Sequence, residues 1–176
     1  MVHMNSAGQG FDVFKLLIAA VVAGAILLIL LQTLQVIPTP GGRNPNELAS
    51  ETVKSQINNL GLPQYVDNVV FKNNAVLSGK TIAENSKALS SDQVCVKITD
   101  STPNKDAFKN TNGRIVQYTG SFDQRTRLVV ICDRKNELDD TISDLELEDL
   151  GVSTDNCPEP NGETTRYCLI SVIADQ

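Results

Sequence analysis

The side chains with the clearest covalent chemistry in this 176-residue chain are its four cysteines. Cys95, Cys132, Cys157 and Cys168 all lie in the C-terminal half. An even number of cysteines in a small domain favours disulfide bonds formed in an oxidising compartment, and four reduced, buried cysteines are the alternative. None of the spacings is the CxxC that indicates a metal site.

The local sequence around the cysteines suggests how they pair. The segment from Cys157 to Cys168, CPEPNGETTRYC, contains two prolines and an Asn-Gly pair, which is turn chemistry that brings chain ends together. We therefore expect Cys157 to bond Cys168. Cys95 and Cys132 lie in apolar strand patterns and would face one another if those strands were neighbours, so they form the second expected pair. Four cysteines allow three pairings, and the sequence leaves the choice open.

An acidic run, NELDDTISDLELEDLG at residues 136–151, carries seven carboxylates. Leu138, Ile142 and Leu145 recur within it at helical spacing, which predicts a solvated acidic helix ending in glycine. A calcium site would need oxygen ligands in an order such as D-x-D-x-D-G, which the run lacks, so a divalent-cation site is the less favoured alternative. The run is the best surface for an electrostatic partner.

Catalytic chemistry is poorly represented in the sequence. The single histidine, His3, lies in the N-terminal tail and cannot act as a base in a folded site. No G-x-S-x-G, H-E-x-x-H, Walker or G-x-G-x-x-G motif occurs, so we expect no enzyme activity, cofactor or metal. The net charge of −6 comes without a basic patch, which argues against a nucleic-acid partner.

An apolar run near the N-terminus, FDVFKLLIAAVVAGAILLILL, covers residues 11–31. A helix over 16–37 would be about 33 Å long, which matches a hydrocarbon core of about 30 Å. Apolar residues cover every direction of the helical wheel, unlike those of a soluble core helix. The run is also longer than a signal-peptide core and has no Ala-x-Ala ending. These features predict a transmembrane helix, and the cysteines place the following domain outside the cell.

The chain is accordingly expected to have four parts. Residues 1–10 are a leader or cytoplasmic tail, and 11–37 are a transmembrane or filament-core helix. Residues 38–46 are a Pro/Gly-rich stalk, and 47–176 are an extracellular domain that contains the disulfides. The expected fold class is α+β, with a single N-terminal transmembrane helix followed by a mainly antiparallel β domain with two or three short helices.

The exterior domain shows separate helix and strand signals. Helices are expected over 46–60, where apolar residues follow an amphipathic pattern, and over 78–89. Runs rich in Val, Ile, Tyr and Thr predict strands at 66–71, 93–99, 113–119, 126–133 and 166–174. The short connection GSFDQR suggests that the third and fourth of these strands form a hairpin.

The segment from Gly8 to Leu31 resembles the class III signal of type IV pilin-like proteins, particularly those of archaea. In that family a prepilin-type peptidase cuts a short polar leader after a glycine, and the retained helix later packs in a filament core. Gly8-Gln9 resembles the archaeal cleavage pair, whereas Gly10-Phe11 resembles the bacterial junction, and the choice between them stays open.

The resemblance departs from the family pattern in two respects. The leader MVHMNSA has no Lys or Arg before the glycine. The family has an acidic residue about five positions into the mature helix, but counting from Phe11 this chain has Lys15 there. Asp12 is then the nearby carboxylate left to compensate the amine of a neighbouring subunit.

Ala20 and Gly24 form a small-xxx-small pair that permits close helix approach.

Two functions follow from these features. The first is a type IV pilin-like structural subunit of a cell-surface filament, with an apolar helical spine and an exposed β-rich head. The second is a single-pass membrane-anchored extracellular binding or secretion-accessory module that does not polymerise. The expected partners are the lipid bilayer, a prepilin-type peptidase, and other copies of the chain through the N-terminal helix.

Overall fold

A computed structural model describes residues 15–24, 26, 43–160, 162 and 164–175. The chain divides into two compact units, Met1–Gly41 and Gly42–Gln176, and we call the second unit the head. In the first unit, helix α1 covers residues 15–24. The helices of the head are α2 (Pro45–Gln56), α3 (Gly79–Ser86) and α4 (Leu138–Asp144), with 3₁₀ turns at Lys105–Ala107 and Leu147–Leu150. Its strands are β1 (Gln64–Phe71), β2 (Val76–Ser78), β3 (Val94–Ile98), β4 (Phe108–Thr111), β5 (Ile115–Tyr118), β6 (Gln124–Arg134) and β7 (Arg166–Ile173).

The expected transmembrane helix over 11–37 is not found. In the part of the chain that the structure describes, no helix combines the length and the apolar character needed to cross a membrane. Residues 11–14, 25 and 27–37 lie outside the described residues. The membrane span in the predicted fold class is therefore wrong, as is the predicted localisation as a single-pass membrane protein with its domain outside the cell.

The head itself is α+β with mainly antiparallel sheets. Its larger sheet has the order β1-β6-β7-β3, in which β3 runs parallel to β7 and the other pairs are antiparallel. Its smaller sheet is antiparallel, with the order β2-β5-β4. The predicted hairpin between the strands at 113–119 and 126–133 is wrong, because β5 and β6 belong to different sheets. The connection GSFDQR instead passes from one sheet to the other.

The larger sheet is covered on both faces. Leu128 and Val130 of β6 belong to the first core cluster, which packs α2, α3 and the smaller sheet against one face. Val129 and Ile131 alternate with them and belong to the second core cluster, which packs α4 and the segment after it against the other face. Because both faces are buried, β6 reads as a continuous apolar run instead of alternating with polar residues.

The three helices of the head are shorter than predicted. Helix α2 starts where the side chain of Asn44 accepts a hydrogen bond from the backbone N–H of Asn46 at 3.0 Å, with Pro45 in the first turn. It ends at Gln56, before the predicted end at residue 60. The acidic helix is shorter still, because Glu146 adopts a left-handed conformation with φ of 54° and separates α4 from the 3₁₀ turn that follows.

Candidate functional site

All described positions of helix α1 are exposed, and those from Leu16 to Ala23 carry apolar side chains. Leu16, Leu17 and Val21 are 72%, 59% and 64% exposed. Burying a Leu or Val side chain contributes about 1.5–3 kcal/mol, and contiguous exposed apolar surface marks a site of interaction. We call this surface, formed by Leu16, Leu17, Ile18, Val21 and Val22, the apolar helix surface. It is the strongest candidate for an assembly surface.

The two small residues predicted to permit close helix approach lie one turn apart on α1. Ala20 is exposed. Apart from its chain neighbours and the backbone of its own helix, a Cβ atom added to Gly24 would have no atom of the described residues within 4 Å. No described contact within the chain therefore requires glycine at this position. Its small size leaves room for a second helix to approach closely.

The remaining predicted N-terminal sites lie outside the described residues. They are the processing residues Gly8, Gln9, Gly10 and Phe11 and the charge-compensating residue Asp12. The position of cleavage and the role of Asp12 therefore stay predictions.

The prediction that the cysteines form disulfides is confirmed, but both predicted pairings are wrong. Cys132 bonds Cys168, with their Cα atoms 4.1 Å apart. Cys95 bonds Cys157, with a Cα–Cα distance of 5.5 Å. Cys132 and Cys168 lie directly opposite one another on the antiparallel strands β6 and β7. The first disulfide is therefore a cross-strand link, and the second ties the segment after α4 to strand β3.

The two faces of the larger sheet explain why the predicted pairings fail. Successive residues of a strand point to opposite faces. Cys132 and Cys168 belong to the first core cluster, whereas Cys95 and Cys157 pack in the second. Each predicted pair would have joined cysteines on opposite faces of the sheet. In addition, β7 lies between β3 and β6, so the strands of Cys95 and Cys132 are not neighbours.

The ammonium group of Lys97 holds the segment that leads to Cys157. Its Nζ donates to the carbonyl oxygen of Ser153 at 3.1 Å, to the Ser153 hydroxyl at 3.0 Å and to the carbonyl oxygen of Asp155 at 2.7 Å. Burial lowers the pKa of Lys97, and the nearby Asp155 carboxylate partly opposes this effect. The half-buried lysine thus has a structural role in anchoring the segment.

Tyr167 restrains the segment around Cys157 through a second contact. Its side chain is fully buried, and its hydroxyl donates to the carbonyl oxygen of Pro158 at 2.6 Å. Lys135 Nζ lies 5.5 Å from the ring centroid. Burial is the main cause that raises the pKa of Tyr167 above its ordinary value of about 10. The phenol therefore stays protonated in the folded chain at pH values where an exposed tyrosine ionises.

Tyr167 should make the head sensitive to alkaline pH. Above pH about 10 the unfolded chain loses the phenolic proton while the folded chain keeps it, so the folded state binds more protons and stability falls as pH rises. We expect Tyr167→Phe to make the stability curve flatter above pH 10, and to cost about 1 kcal/mol at neutral pH through the lost hydrogen bond. Urea unfolding of parent and variant between pH 7 and 11 measures both effects. Equal slopes above pH 10 would contradict the assignment.

The acidic segment shows no arrangement suited to a cation. Among the described residues, no group of His, Cys, Asp or Glu side chains is placed to hold a metal ion. Asp139 accepts a hydrogen bond from Thr154 at 2.5 Å, and Glu137 pairs with Arg134 at 3.0 Å. These carboxylates therefore contribute to packing and to local ion pairing.

Sequence reasoning did not single out Phe122, which is 84% exposed in the loop between β5 and β6. The signal that could have found it is an aromatic residue inside a connection, GSFDQR, that is otherwise polar.

Comparison of the chain with family models, with curated proteins and with solved structures finds no match.

Proposed function

We propose that the chain is a type IV pilin-like structural subunit that assembles into a filament. In this role α1 packs against α1 of other copies in the filament core, and the head forms the outer surface. The observation that carries the proposal is the exposure of the apolar helix surface. A helix that is apolar all round needs an apolar environment, and identical helices supply one for each other.

Interactions within the head stabilise it, which suits an outer position in the filament. They are its two core clusters and its two disulfides. Copies that associate head to tail form open helical filaments whenever the rotation between them does not close a ring. Removal of the leader after Gly8 or Gly10 by a prepilin-type peptidase, which would free the helix for packing, belongs to the same proposal.

Substitution Gly24→Leu should prevent assembly without weakening the helix. Leucine has a higher helix propensity than glycine by about 0.8 kcal/mol, so α1 itself should become more stable. A Cβ at this position meets no other described part of the chain, and the longer leucine side chain would hold a neighbouring helix away. We expect the concentration needed for assembly to rise at least about tenfold, as measured by sedimentation and negative-stain electron microscopy of the full chain.

Gly24→Ala is the matched control, because it also raises helix propensity but adds a single methyl group. It should assemble within a few-fold of the parent concentration. Both variants should keep the unfolding midpoint of the head. A parent chain that stays monomeric at every concentration, or a Gly24→Leu variant that assembles like the parent, would count against the filament proposal and favour a head that acts as a monomeric binding module.

A further inference from the structure

The loop between β5 and β6 holds the most exposed of the large apolar side chains that the structure describes. The side chain of Phe122 is 84% exposed, and its neighbours Ser121 and Asp123 are exposed as well. Single exposed apolar side chains are common on protein surfaces. The surroundings of Phe122 therefore decide whether it can take part in binding.

Two hydrogen bonds connect the loop to the rest of the head. The hydroxyl of Tyr118 donates to the carbonyl oxygen of Phe122 at 2.7 Å, and the backbone N–H of Thr119 donates to the carbonyl oxygen of Ala107 at 2.8 Å. Tyr118 passes so close beneath Gly120 that a Cβ atom there would collide with its hydroxyl. A preformed loop loses little conformational entropy on binding, which favours the capture of a ligand.

A hollow of about 390 Å³ lies beside Phe122. This volume is within the range of about 300–1,000 Å³ that is typical of small-molecule sites. The hollow is lined by Asn104, Asp106, Ala107, Tyr118, Gly120, Ser121 and Phe122. We call it the Phe122 hollow. It combines one exposed aromatic ring with an amide, a carboxylate and a hydroxyl, which can accept and donate hydrogen bonds.

The charges around the Phe122 hollow restrict the class of ligand. Within the described part of the chain, Asp106 is the one charged residue of the lining, and Asp123 follows Phe122 directly. The nearby base Lys105 is paired with Asp100. The carboxylates should repel an anionic ligand. A quaternary ammonium ligand is also disfavoured, because such cations are held by several ring faces and Tyr118 is buried beneath the loop.

We propose that the Phe122 hollow binds a neutral saccharide. A sugar ring presents an apolar face of C–H groups, which can lie on the exposed ring of Phe122, and a rim of hydroxyl groups that each need a hydrogen-bond partner. The carboxylate of Asp106 can accept from adjacent hydroxyls, and Asn104 and Ser121 lie in the same lining. This binding function is independent of the filament proposal, since every contact belongs to the head.

The test is isothermal titration calorimetry of the full chain with three neutral probes, maltotriose, cellotriose and chitotriose. We expect saturable binding of at least one probe, weakened at least about tenfold by Phe122→Ala and also reduced by Asp106→Asn. The unfolding midpoint of Phe122→Ala should equal that of the parent, because its side chain packs little against the head. Tyr65→Ala is the matched control, since Tyr65 is a second exposed aromatic residue, located on β1 and 43% exposed.

Three outcomes would overturn the proposal. The first is a lack of saturable binding of all three probes to the parent chain. The second is binding that Phe122→Ala and Tyr65→Ala weaken equally. The third is a Phe122→Ala variant that loses self-assembly but binds the probes like the parent, because the loop would then be a contact between subunits. Failure of the Gly24→Leu experiment leaves this test unaffected, so the two proposals can fail separately.

Discussion

Replacing Cys132 and Cys168 together by alanine is expected to lower the free energy of unfolding of the head by about 4 kcal/mol. The two cysteines are 36 residues apart. A cross-link that closes a loop of this length lowers the conformational entropy of the unfolded chain, which stabilises the folded state by about 4 kcal/mol. Both side chains are fully buried in the first core cluster, so their loss also removes packing contacts. Urea unfolding of the full chain, followed by circular dichroism, measures the effect.

Two controls separate the cross-link from other effects of this double substitution. Under a strong reductant, the parent and the variant should differ in stability by only about 1 kcal/mol, the part that comes from packing. A count of thiols in the denatured, non-reduced variant should be zero, because Cys95 and Cys157 remain bonded to each other. Two free thiols would show that Cys95 and Cys157 are not bonded to each other in the parent, which would contradict the pairing described above.

Gly113→Ala is expected to lower the free energy of unfolding by about 3 kcal/mol, an unusually large loss for a single methyl group. Gly113 has φ of +63°, a conformation in which a residue with a Cβ atom is strained by about 1–2 kcal/mol. The added Cβ would also lie 2.8 Å from both the carbonyl oxygen of Asn156 and Cys95 Sγ. Because neither the backbone nor the disulfide can move freely, this contact should add further strain.

Gly61→Ala separates the effect of a positive φ from the effect of the close contacts that an added Cβ makes at Gly113. Gly61 also has a positive φ, +75°, but its nearest neighbour is a carboxylate oxygen of Asp133 at 3.3 Å, which can shift slightly. We expect this variant to lose about 1 kcal/mol. Equal losses at the two glycines would mean that the close approach of Cys95 Sγ to Gly113 contributes nothing to stability.

The disulfides and the buried contacts around them give the head a stability that suits the proposed outer position in a filament. Cys95–Cys157, Lys97 and Tyr167 all restrain the segment between α4 and β7, whose described residues form no regular secondary structure beyond a 3₁₀ turn. Such a segment would otherwise be a point of local unfolding. Three independent restraints keep the second core cluster covered.

The local character of most of the head could be predicted from the sequence. The runs around Val69, Val96, Val130 and Ile170 form strands as expected, because β-branched residues bounded by turn residues favour extended structure over short distances. Helix α2 appears where amphipathic spacing places it, and α3 lies within the segment 78–89 that was expected to be helical. Strands β2 and β4 are not predicted, since they are three and four residues long and too short to show a strand pattern.

What the sequence by itself determined was therefore the α+β character of the head, the formation of disulfides and the apolar nature of the N-terminal segment. The tertiary structure alone decided that β7 lies between β3 and β6, that Cys132 meets Cys168, and that Tyr118 fixes an exposed Phe122. The physical reason is the distance along the chain over which each kind of interaction acts. Helix and strand signals arise between residues a few positions apart, whereas strand order and the face on which a cysteine lies depend on contacts between segments far apart in the chain.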